Sequence, residues 1–268
     1  MKSDNLISVR NLKKCFGDIT AVNEISFDVN HSDVFAFLGP NGAGKSTTIK
    51  MLITLLAPTS GSATIDGLDI IKHAAEVRRK IGYVPQMISV DGTLTAYENL
   101  VLMARLYDLP RRECAQRAQE VLTFLELEDQ KDALVRTFSG GMIRRLEIGQ
   151  AIVHRPKALF LDEPTSGLDP VARQHVWEHI LELRKTHGMT IFFSTHQMEE
   201  ADAMSDKVAI MNSGKIAVID TPKAIRAKTG KKNATLEEAF IFFTGTDLKE
   251  GGNFRDVRRS RQAERRRG

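Results

Sequence analysis

The sequence is poor in cysteine, in long apolar runs and in stretches rich in glycine, serine or proline. Its 268 residues include two isolated cysteines, Cys15 and Cys114, which excludes a disulfide framework or a CxxC metal site and predicts reduced, buried thiols. No uncharged apolar run approaches the roughly 18 residues that span a bilayer, and residues 1–4 lead into a strand-like segment without a secretory signal. We therefore expect a soluble intracellular protein that folds as one compact unit followed by a tail.

The chain also lacks an excess of positive charge outside its C-terminal end. The formal net charge of +4 arises there, because residues 255–268 contain seven arginines and two acidic residues, and residues 1–254 carry a net charge of −1. A body without excess positive charge does not indicate a nucleic-acid surface. The tail at residues 246–268 is predicted to be a disordered, solvated end, although its arginines could also meet anionic lipid or nucleic acid.

Short apolar or alternating runs predict strands, and segments of helical periodicity separate them. The predicted strands lie at residues 6–9, 25–29, 34–38, 61–65, 80–84, 158–161, 190–194 and 207–211. The run at 158–161 is uniformly apolar, which is typical of a strand buried on both faces of a parallel sheet. Thr95 and Glu98 form a capping box, and helical periodicity follows to Leu106 and again over residues 112–127. The chain is predicted to be an α/β protein with a helical insertion at about residues 93–137.

Residues 39–47 fit the phosphate-binding pattern GxxxxGK[ST], and they lie between a predicted strand and a predicted helix at residues 48–56. The segment consists of Gly39, Pro40, Asn41, Gly42, Ala43, Gly44, Lys45, Ser46 and Thr47. Its glycines allow backbone N–H groups to surround phosphate oxygens, and the following helix directs its positive end at the same anion. Lys45 is predicted to bind the β- and γ-phosphates, and Ser46 to offer its hydroxyl to Mg²⁺.

Polar residues follow three other predicted strands, at the edge where open α/β sheets bind ligands. Asp162 follows the apolar run at 158–161 and is predicted to hold the Mg²⁺ shell. Glu163 comes next and is predicted to polarise a water for in-line attack on the γ-phosphate. His196 is predicted to contact the γ-phosphate, and Gln86 could contact either Mg²⁺ or the attacking water. Together with the phosphate-binding loop, these residues predict an ATPase site.

A second unusual helix start contains Ser139, Gly140, Gly141 and Met142. A serine followed by two glycines at a helix N-terminus forms an anion-binding site, although the loop at residues 39–47 already serves that purpose. Two interpretations stay open for this segment. It is either a plain helix cap or a binding site for a nucleotide that a different subunit holds.

Six motifs in this order, GPNGAGKST, Gln86, FSGGM, ALFLDEP, SGLD and STH, resemble those of the ATP-binding subunits of ABC transporters. The segment from FSGGM to SGLD is similar to the daunorubicin-resistance (DrrA-like) ATPases of ABC-2-type exporters. The resemblance implies a P-loop NTPase fold with a RecA-like parallel-sheet core, an N-terminal antiparallel β-subdomain and a helical subdomain at about residues 93–137. It assigns residues 1–245 to a single ABC ATP-binding domain.

The resemblance also implies a role for each matching residue and a head-to-tail homodimer. The implied roles are adenine stacking for Phe16, the Q-loop for Gln86, the signature for Ser139 to Met142, the Walker B acid for Asp162, the general base for Glu163, the D-loop between subunits for Asp169 and the switch histidine for His196. In such a dimer each ATP lies between the P-loop of one copy and the signature of the other. This arrangement would explain the second anion-binding helix start.

The family implies ATP and Mg²⁺ as ligands, and a separate integral membrane permease as partner. It further implies a peripheral location at the cytoplasmic face of the cell membrane and export of a drug-like, lipid or polysaccharide substrate, with no specific nucleic acid. Three residues depart from the usual pattern: Met142 stands where many ABC proteins have glutamine, and Gly149 and Gln150 replace alanine and arginine.

Two alternative functions remain at this stage. A soluble ABC ATPase that acts on nucleic acid or ribosomes is disfavoured, because only short helices separate Lys45 from Ser139 and the chain has one ATPase domain. A binding-only regulator with degenerate chemistry is disfavoured because Lys45, Asp162, Glu163 and His196 are all present.

Overall fold

Residues 5–245 are those that the computed structural model describes, and within them the chain forms ten strands and nine α-helices. The strands are β1 (Asn5–Phe16), β2 (Ile19–Asn30), β3 (Val34–Leu38), β4 (Ser60–Ile65), β5 (Leu68–Asp69), β6 (Ile81–Val84), β7 (Ala158–Asp162), β8 (Thr190–Thr195), β9 (Lys207–Asn212) and β10 (Lys215–Asp220). The helices are α1 (Lys45–Leu52), α2 (Ala74–Arg78), α3 (Ala96–Leu106), α4 (Arg111–Phe124), α5 (Gly140–Ile152), α6 (Pro170–His187), α7 (Met198–Met204), α8 (Pro222–Ala227) and α9 (Leu236–Thr244). The predicted tail at residues 246–268 lies outside the described residues.

The strands form two sheets. The N-terminal part forms a four-stranded antiparallel sheet with the order β2-β1-β4-β5. The second sheet has the order β10-β9-β3-β8-β7-β6 and is parallel except for the pair β10 and β9. Its register aligns Leu38 with Thr195 and Asp162 with Ser194, so the carboxyl ends of β3, β7 and β8 meet at one edge. The predicted α/β core with an N-terminal antiparallel β-subdomain is confirmed.

The larger sheet is apolar on both faces because every residue of β3, β7 and β8 is buried. One face packs on the antiparallel sheet, where the rings of Phe27, Phe35 and Phe192 have centroids 5.4–6.1 Å apart. Helices cover the other face, and there Trp177 of α6 packs edge-on against Phe193 at 4.8 Å. Burial on two faces requires uniformly apolar strands, and this is why apolar runs predicted the central strands.

Two predicted helices have different bounds in the structure. The prediction of a helix over residues 48–56 was wrong at both ends: α1 begins at Lys45 and ends at Leu52, and Thr54 then has a left-handed backbone (φ 66°). The helix predicted to continue to residue 127 ends at Phe124, since Glu126 is also left-handed (φ 54°). A residue in the left-handed region cannot continue a right-handed helix.

The predicted insertion at residues 93–137 contains α3 and α4. Thr95 caps α3 through the predicted capping box, in which its hydroxyl accepts from the Glu98 backbone N–H and the Glu98 carboxylate accepts from the Thr95 backbone N–H. Both helices also contact α5, so the packed helical layer extends beyond residue 137. The limits of the insertion as a separate subdomain stay a prediction.

Gly149 and Gln150, the two unusual residues of α5, have defined packing roles. A Cβ atom at Gly149 would lie 2.7 Å from Leu125 and 2.8 Å from Val121, so glycine permits the close approach of α5 to the preceding helix. The Gln150 amide donates to the side-chain oxygen of Asn99 at 3.1 Å, and both side chains are buried. These contacts explain why the helical layer accommodates Gly-Gln at these positions.

The predicted buried thiol is confirmed for Cys114 and wrong for Cys15. Cys114 lies on the buried side of α4, whereas Cys15 is only partly buried, because the end of β1 extends past the core. Both cysteines are free. Among the helices of residues 5–245, none is both long and apolar enough to cross a bilayer.

His154 lies beneath the helical layer in a position that disfavours its charged form. Its Nε2–H donates to the Ile81 carbonyl at 3.0 Å, and its ring stacks on Tyr107 with centroids 3.5 Å apart. The Nδ1 atom is buried and has no hydrogen-bond partner among the described residues. Burial lowers the pKa of His154 to about 4, and the bond to Ile81 only partly offsets this.

We expect the stability of the chain to fall in acid through His154. Its folded pKa lies below its unfolded value of 6.5, so the unfolded state binds more protons as the pH falls from 6.5 towards 4. The stabilisation that comes from the neutral form of His154 is fully present above pH 6.5. A pKa shift of this size corresponds to about 3 kcal/mol in the free energy of unfolding. Urea unfolding at pH 7 and pH 4 should show that the wild type loses about this much more than His154→Gln. Equal losses in the two proteins would contradict the prediction.

Candidate active site

The phosphate-binding loop joins the end of β3 to the start of α1. Gly44 immediately precedes α1 with a left-handed backbone (φ 104°), and a Cβ atom there would lie 2.5 Å from the Ala21 carbonyl oxygen. Only glycine fits this turn without strain. The Lys45 ammonium donates to the carbonyl oxygens of Gly39 at 2.8 Å and Pro40 at 3.1 Å. The backbone of the loop therefore curves around the Lys45 ammonium and binds it through these two carbonyl oxygens.

Lys45 is the cation of this site, and only 4% of it is exposed. Burial lowers the pKa of Lys45, and the carboxylates of Glu163 and Asp162 partly offset that effect. The Lys45 Nζ atom lies 3.6 Å from the Glu163 Oε1 atom. Because burial disfavours the charge of Lys45 more than the two carboxylates favour it, the ammonium is suited to bind a further anion such as phosphate.

The loop opens into a cavity of about 440 Å³. The cavity is lined by Ala21, Pro40, Asn41, Gly42, Ala43, Gly44, Lys45, Ser46, Thr47, Gln86 and Glu163. The predicted loop residues Pro40 to Thr47 thus lie around one space together with Gln86 and Glu163. Phe16 is not among the lining residues; it lies at the end of β1, about half exposed, with the Lys14 ammonium 5.1 Å from its ring centroid.

The oxygen atoms of Asp162 and Ser46 lie together beside the cavity, which Ser46 lines and Asp162 does not. The Ser46 hydroxyl donates to Asp162 Oδ1 at 3.0 Å, and the Ser194 hydroxyl donates to the same oxygen at 2.5 Å. A hydroxyl and a carboxylate oxygen are ligands that Mg²⁺ prefers. No group of three or more His, Cys, Asp or Glu suited to a metal occurs in residues 5–245. Mg²⁺ held by a single carboxylate would need phosphate oxygens as further ligands.

Glu163 is the residue on which the predicted site residues converge. It is a non-glycine residue with a left-handed backbone (φ 51°), and such strain is concentrated at functional sites. Its Oε2 atom accepts from the Gln86 amide at 3.2 Å and lies 3.2 Å from the His196 Nδ1 atom. With Lys45 at 3.6 Å from its other oxygen, the buried carboxylate contacts three polar side chains from three different segments of the chain.

The signature residues lie away from this cavity. Ser139 caps α5, and its hydroxyl accepts from the Met142 backbone N–H at 3.3 Å. Ser139 and Gly140 are exposed, and Gly141 follows in the first turn of the helix. Asp169 is also exposed and caps α6, accepting from two backbone N–H groups at 3.0 Å. Within one chain, these residues do not meet the phosphate-binding loop.

Comparison with known proteins agrees with this geometry. The family model described as ABC transporter matches residues 22–166. Linearmycin resistance ATP-binding protein LnrL of Bacillus subtilis (strain 168) is 41% identical over 225 residues, which are 84% of this chain and 72% of that protein. Daunorubicin/doxorubicin resistance ATP-binding protein DrrA of Streptomyces peucetius is 41% identical over 224 residues, 84% of this chain and 68% of that protein. The chain belongs to the ABC transporter family.

Solved structures of ABC proteins have the same fold. An ATP-binding subunit of an ABC transporter has a TM-score of 0.80 at 30% identity, over 89% of this chain and 99% of that one. The ATP-binding cassette MJ0796, in a dimeric post-hydrolysis state bound to ADP and Pi, has a TM-score of 0.72 at 26% identity, over 80% and 98% of the two chains. The predicted ABC-type P-loop fold and the resemblance to DrrA-like ATPases are confirmed. This ABC protein is an ATPase that is similar to the ATP-binding proteins of drug resistance, and nothing in these likenesses supports the nucleic-acid alternative.

Sequence patterns did not predict three supporting residues of this ABC ATPase. Ser194 bonds Asp162 and also accepts from the Glu163 backbone N–H at 3.1 Å. The sequence signal that could have identified Ser194 is a polar residue near the end of an apolar strand. In the structure this strand pairs with the strand that ends at Asp162. Arg144 of α5 donates to the carbonyls of Pro85 and Gln86 at 2.7 and 3.2 Å.

Glu147 completes that contact between α5 and the loop after β6. It lies 3.0 Å from Arg144 and accepts from the Ser89 backbone N–H and hydroxyl at 2.6 and 3.0 Å. Burial raises the pKa of Glu147, and Arg144 and Ser89 partly offset this. The ion pair therefore ties the helix that begins at the signature to the loop that carries Gln86.

Proposed function

We propose that this ABC ATPase binds Mg-ATP between two copies of the chain and uses its hydrolysis to drive export through a separate membrane permease. The observation that carries the proposal is the convergence of Gln86, His196 and Lys45 on the buried Glu163 carboxylate, which lines the cavity of about 440 Å³ at the P-loop. In phosphoryl transfer, catalysis is mostly positioning and charge stabilisation. A carboxylate, an imidazole, an amide and an ammonium at one edge can provide both.

Each residue around the Glu163 carboxylate and the P-loop has a proposed role in hydrolysis. Glu163 accepts a proton from the attacking water, and His196 stabilises the γ-phosphate that the water attacks. Lys45 binds the β- and γ-phosphates through its ammonium. Mg²⁺ supplies charge neutralisation on the phosphates when it is bound, and Ser46 and Asp162 offer the oxygens that would hold it, with the Gln86 amide as a further ligand. Phe16, which is exposed at the end of β1, would stack on the adenine.

A second copy of the chain supplies the other half of the pocket in this proposal. Ser139 and Gly140 are exposed at the N-terminus of the 13-residue helix α5 and do not line the P-loop cavity of their own chain. The start of a helix favours anions, because its free N–H groups and dipole point at the ligand. Asp169, exposed at the start of α6, would lie at the contact between the copies.

The substrate class follows from the relatives. Two relatives at 41% identity are named for resistance to linearmycin and to daunorubicin and doxorubicin. We therefore favour a drug-like substrate, with lipid or polysaccharide as further options. Because the relatives' names identify ATP-binding proteins, the substrate path belongs to the permease. The chain would then act at the cytoplasmic face of the cell membrane, held there by its partner.

A groove on the surface offers a site for a helix of the permease. Its volume is about 400 Å³, and it lies between the end of α1, α2, β6 and the end of α3. It is lined by Ile53, Leu55, Ala75, Arg78, Arg79, Ile81, Tyr83, Leu106, Tyr107 and Asp108. Leu55 and Leu106 are 64% and 68% exposed, so two large apolar side chains line the same groove, and exposed apolar patches often mark sites of protein contact. Strand β6 lines the groove and leads directly to Gln86, so a helix bound here would act on the active site.

We expect Leu106→Glu to lower recovery of the permease at least tenfold, because a carboxylate would enter an apolar contact. The experiment requires a multi-span membrane protein encoded beside this gene; the tagged chain is co-expressed with that protein, and the complex is purified in detergent. Ile241→Glu is the matched control, since Ile241 is an exposed apolar residue of α9 away from the groove. If Leu106→Glu recovers the parental amount, the groove is not the docking site. If the parent recovers none, the permease assignment fails.

A further inference from the structure

Glu200 is a buried acid outside the residues assigned to hydrolysis. It lies in α7, only 5% of it is exposed, and no ion pair joins it to a cation of residues 5–245. A buried carboxylate without a counter-ion is costly unless its oxygens receive hydrogen bonds. Glu200 receives three of them from side chains: two hydroxyl groups and one indole N–H.

Two of the three donors lie beside residues of the proposed active site, and the third lies on α6. Thr165, two residues after Glu163, donates its hydroxyl to Glu200 Oε1, and the Trp177 Nε1–H of α6 donates to the same oxygen at 3.3 Å. Thr195, directly before His196, donates its hydroxyl to Oε2 at 2.9 Å. One buried carboxylate therefore joins the loop after β7 to the end of β8.

The direction of these bonds is fixed by the surrounding groups. The Thr195 hydroxyl accepts from the Gln197 backbone N–H at 3.0 Å, so its own hydrogen is free to point at Glu200. A carboxylate only accepts hydrogen bonds, and it can do so at both oxygens at once. A glutamine has one acceptor oxygen. If that oxygen faces Thr165 and Trp177, the amide NH2 group faces the Thr195 hydroxyl, whose own hydrogen then loses its acceptor.

We propose that Glu200 is a positioning residue, whose carboxylate fixes the loop carrying Glu163 against the loop carrying His196. It holds the 3.2 Å contact between the Glu163 Oε2 and His196 Nδ1 atoms by bonding Thr165 and Thr195, each within two residues of one of them. Glu200 does not itself contact the P-loop cavity. This inference rests on the proposed function, because it requires Glu163 and His196 to act on the same phosphate.

The test compares Glu200→Gln and Glu200→Ala with Glu199→Gln, a change at the exposed neighbouring residue in the first turn of the same helix. We expect kcat for ATP hydrolysis to fall about tenfold in Glu200→Gln and about 100-fold in Glu200→Ala, since small displacements of reacting groups cost this much. KM for ATP should stay within threefold of the parent, and Glu199→Gln should match the parent. Parental kcat in Glu200→Gln would overturn the proposal.

Thr195→Val keeps the test decisive if the Glu200 variants fold poorly. It removes one hydroxyl partner and should lower kcat by a similar factor, and the double variant Thr195→Val/Glu200→Gln should lose little more than either single one, because both act through one contact. Losses that multiply would overturn the proposal. In the Glu163→Gln background, Glu200→Gln should leave ATP-dependent dimer formation unchanged, whereas a folding defect would reduce it. A parent chain that does not hydrolyse ATP would contradict the proposed function instead.

Discussion

Glu163→Gln is expected to lower the rate of ATP hydrolysis by about 100- to 10,000-fold, the range typical for loss of a general base. The variant should still bind ATP, because the loop residues and Lys45 that surround the cavity are unchanged. An amide also keeps the size and the hydrogen-bonding oxygen of the carboxylate. With ATP bound and not hydrolysed, the shared nucleotide should hold two copies together, so the variant should accumulate as a dimer.

Hydrolysis is measured by phosphate release, and the oligomeric state by light scattering after gel filtration with and without Mg-ATP. Glu237→Gln is the matched control, since Glu237 is an exposed acid in the first turn of α9. The control should hydrolyse ATP at the parental rate. Hydrolysis by Glu163→Gln at that rate would show that another group takes the proton, and a strictly monomeric Glu163→Gln in saturating Mg-ATP would contradict the shared pocket.

The sequence indicates candidate residues and elements best where the determining residues are contiguous, although the roles of the site residues stay predictions. The P-loop at residues 39–47 and the pair Asp162 and Glu163 could be identified as candidates because each set lies within one short segment, a single loop or a single strand end. The apolar run at residues 158–161 could be recognised as a strand because a strand that is buried on both faces must be apolar along its whole length. The capping box at Thr95 is likewise a local pattern.

The supporting contacts could not be predicted because they depend on register and packing between distant segments. Ser194 reaches Asp162 only because β7 and β8 pair with these two residues opposite each other. Arg144 and Glu147 bond the loop of Gln86 across 58 residues or more. In the sequence they are two charged residues of a helix, which most often face solvent. For the same reason β10, α7 and α8 were missed: they are short, and tertiary packing decides their form.

Ser139→Arg is the second change with a large expected effect. Ser139 is exposed and lies outside the cavity of its own chain, so a single copy should bind ATP with parental affinity. In a dimer the arginine would occupy the space where the γ-phosphate of the other copy should meet the helix start. Loss of a preorganised contact of this kind costs roughly 100- to 1,000-fold in rate. We therefore expect hydrolysis to fall by at least 100-fold.

Ser139→Arg also removes the N-cap of α5, which lowers the free energy of unfolding by only about 1 kcal/mol. Thr221→Arg is the matched control, because Thr221 is also an exposed N-cap whose hydroxyl accepts from a backbone N–H, at the start of α8. It should lose similar stability and retain full hydrolysis. In the Glu163→Gln background, Ser139→Arg should also prevent the ATP-dependent dimer. If Ser139→Arg hydrolyses ATP as fast as Thr221→Arg does, the signature contributes nothing in trans, and hydrolysis would need only the groups around Glu163 in a single chain.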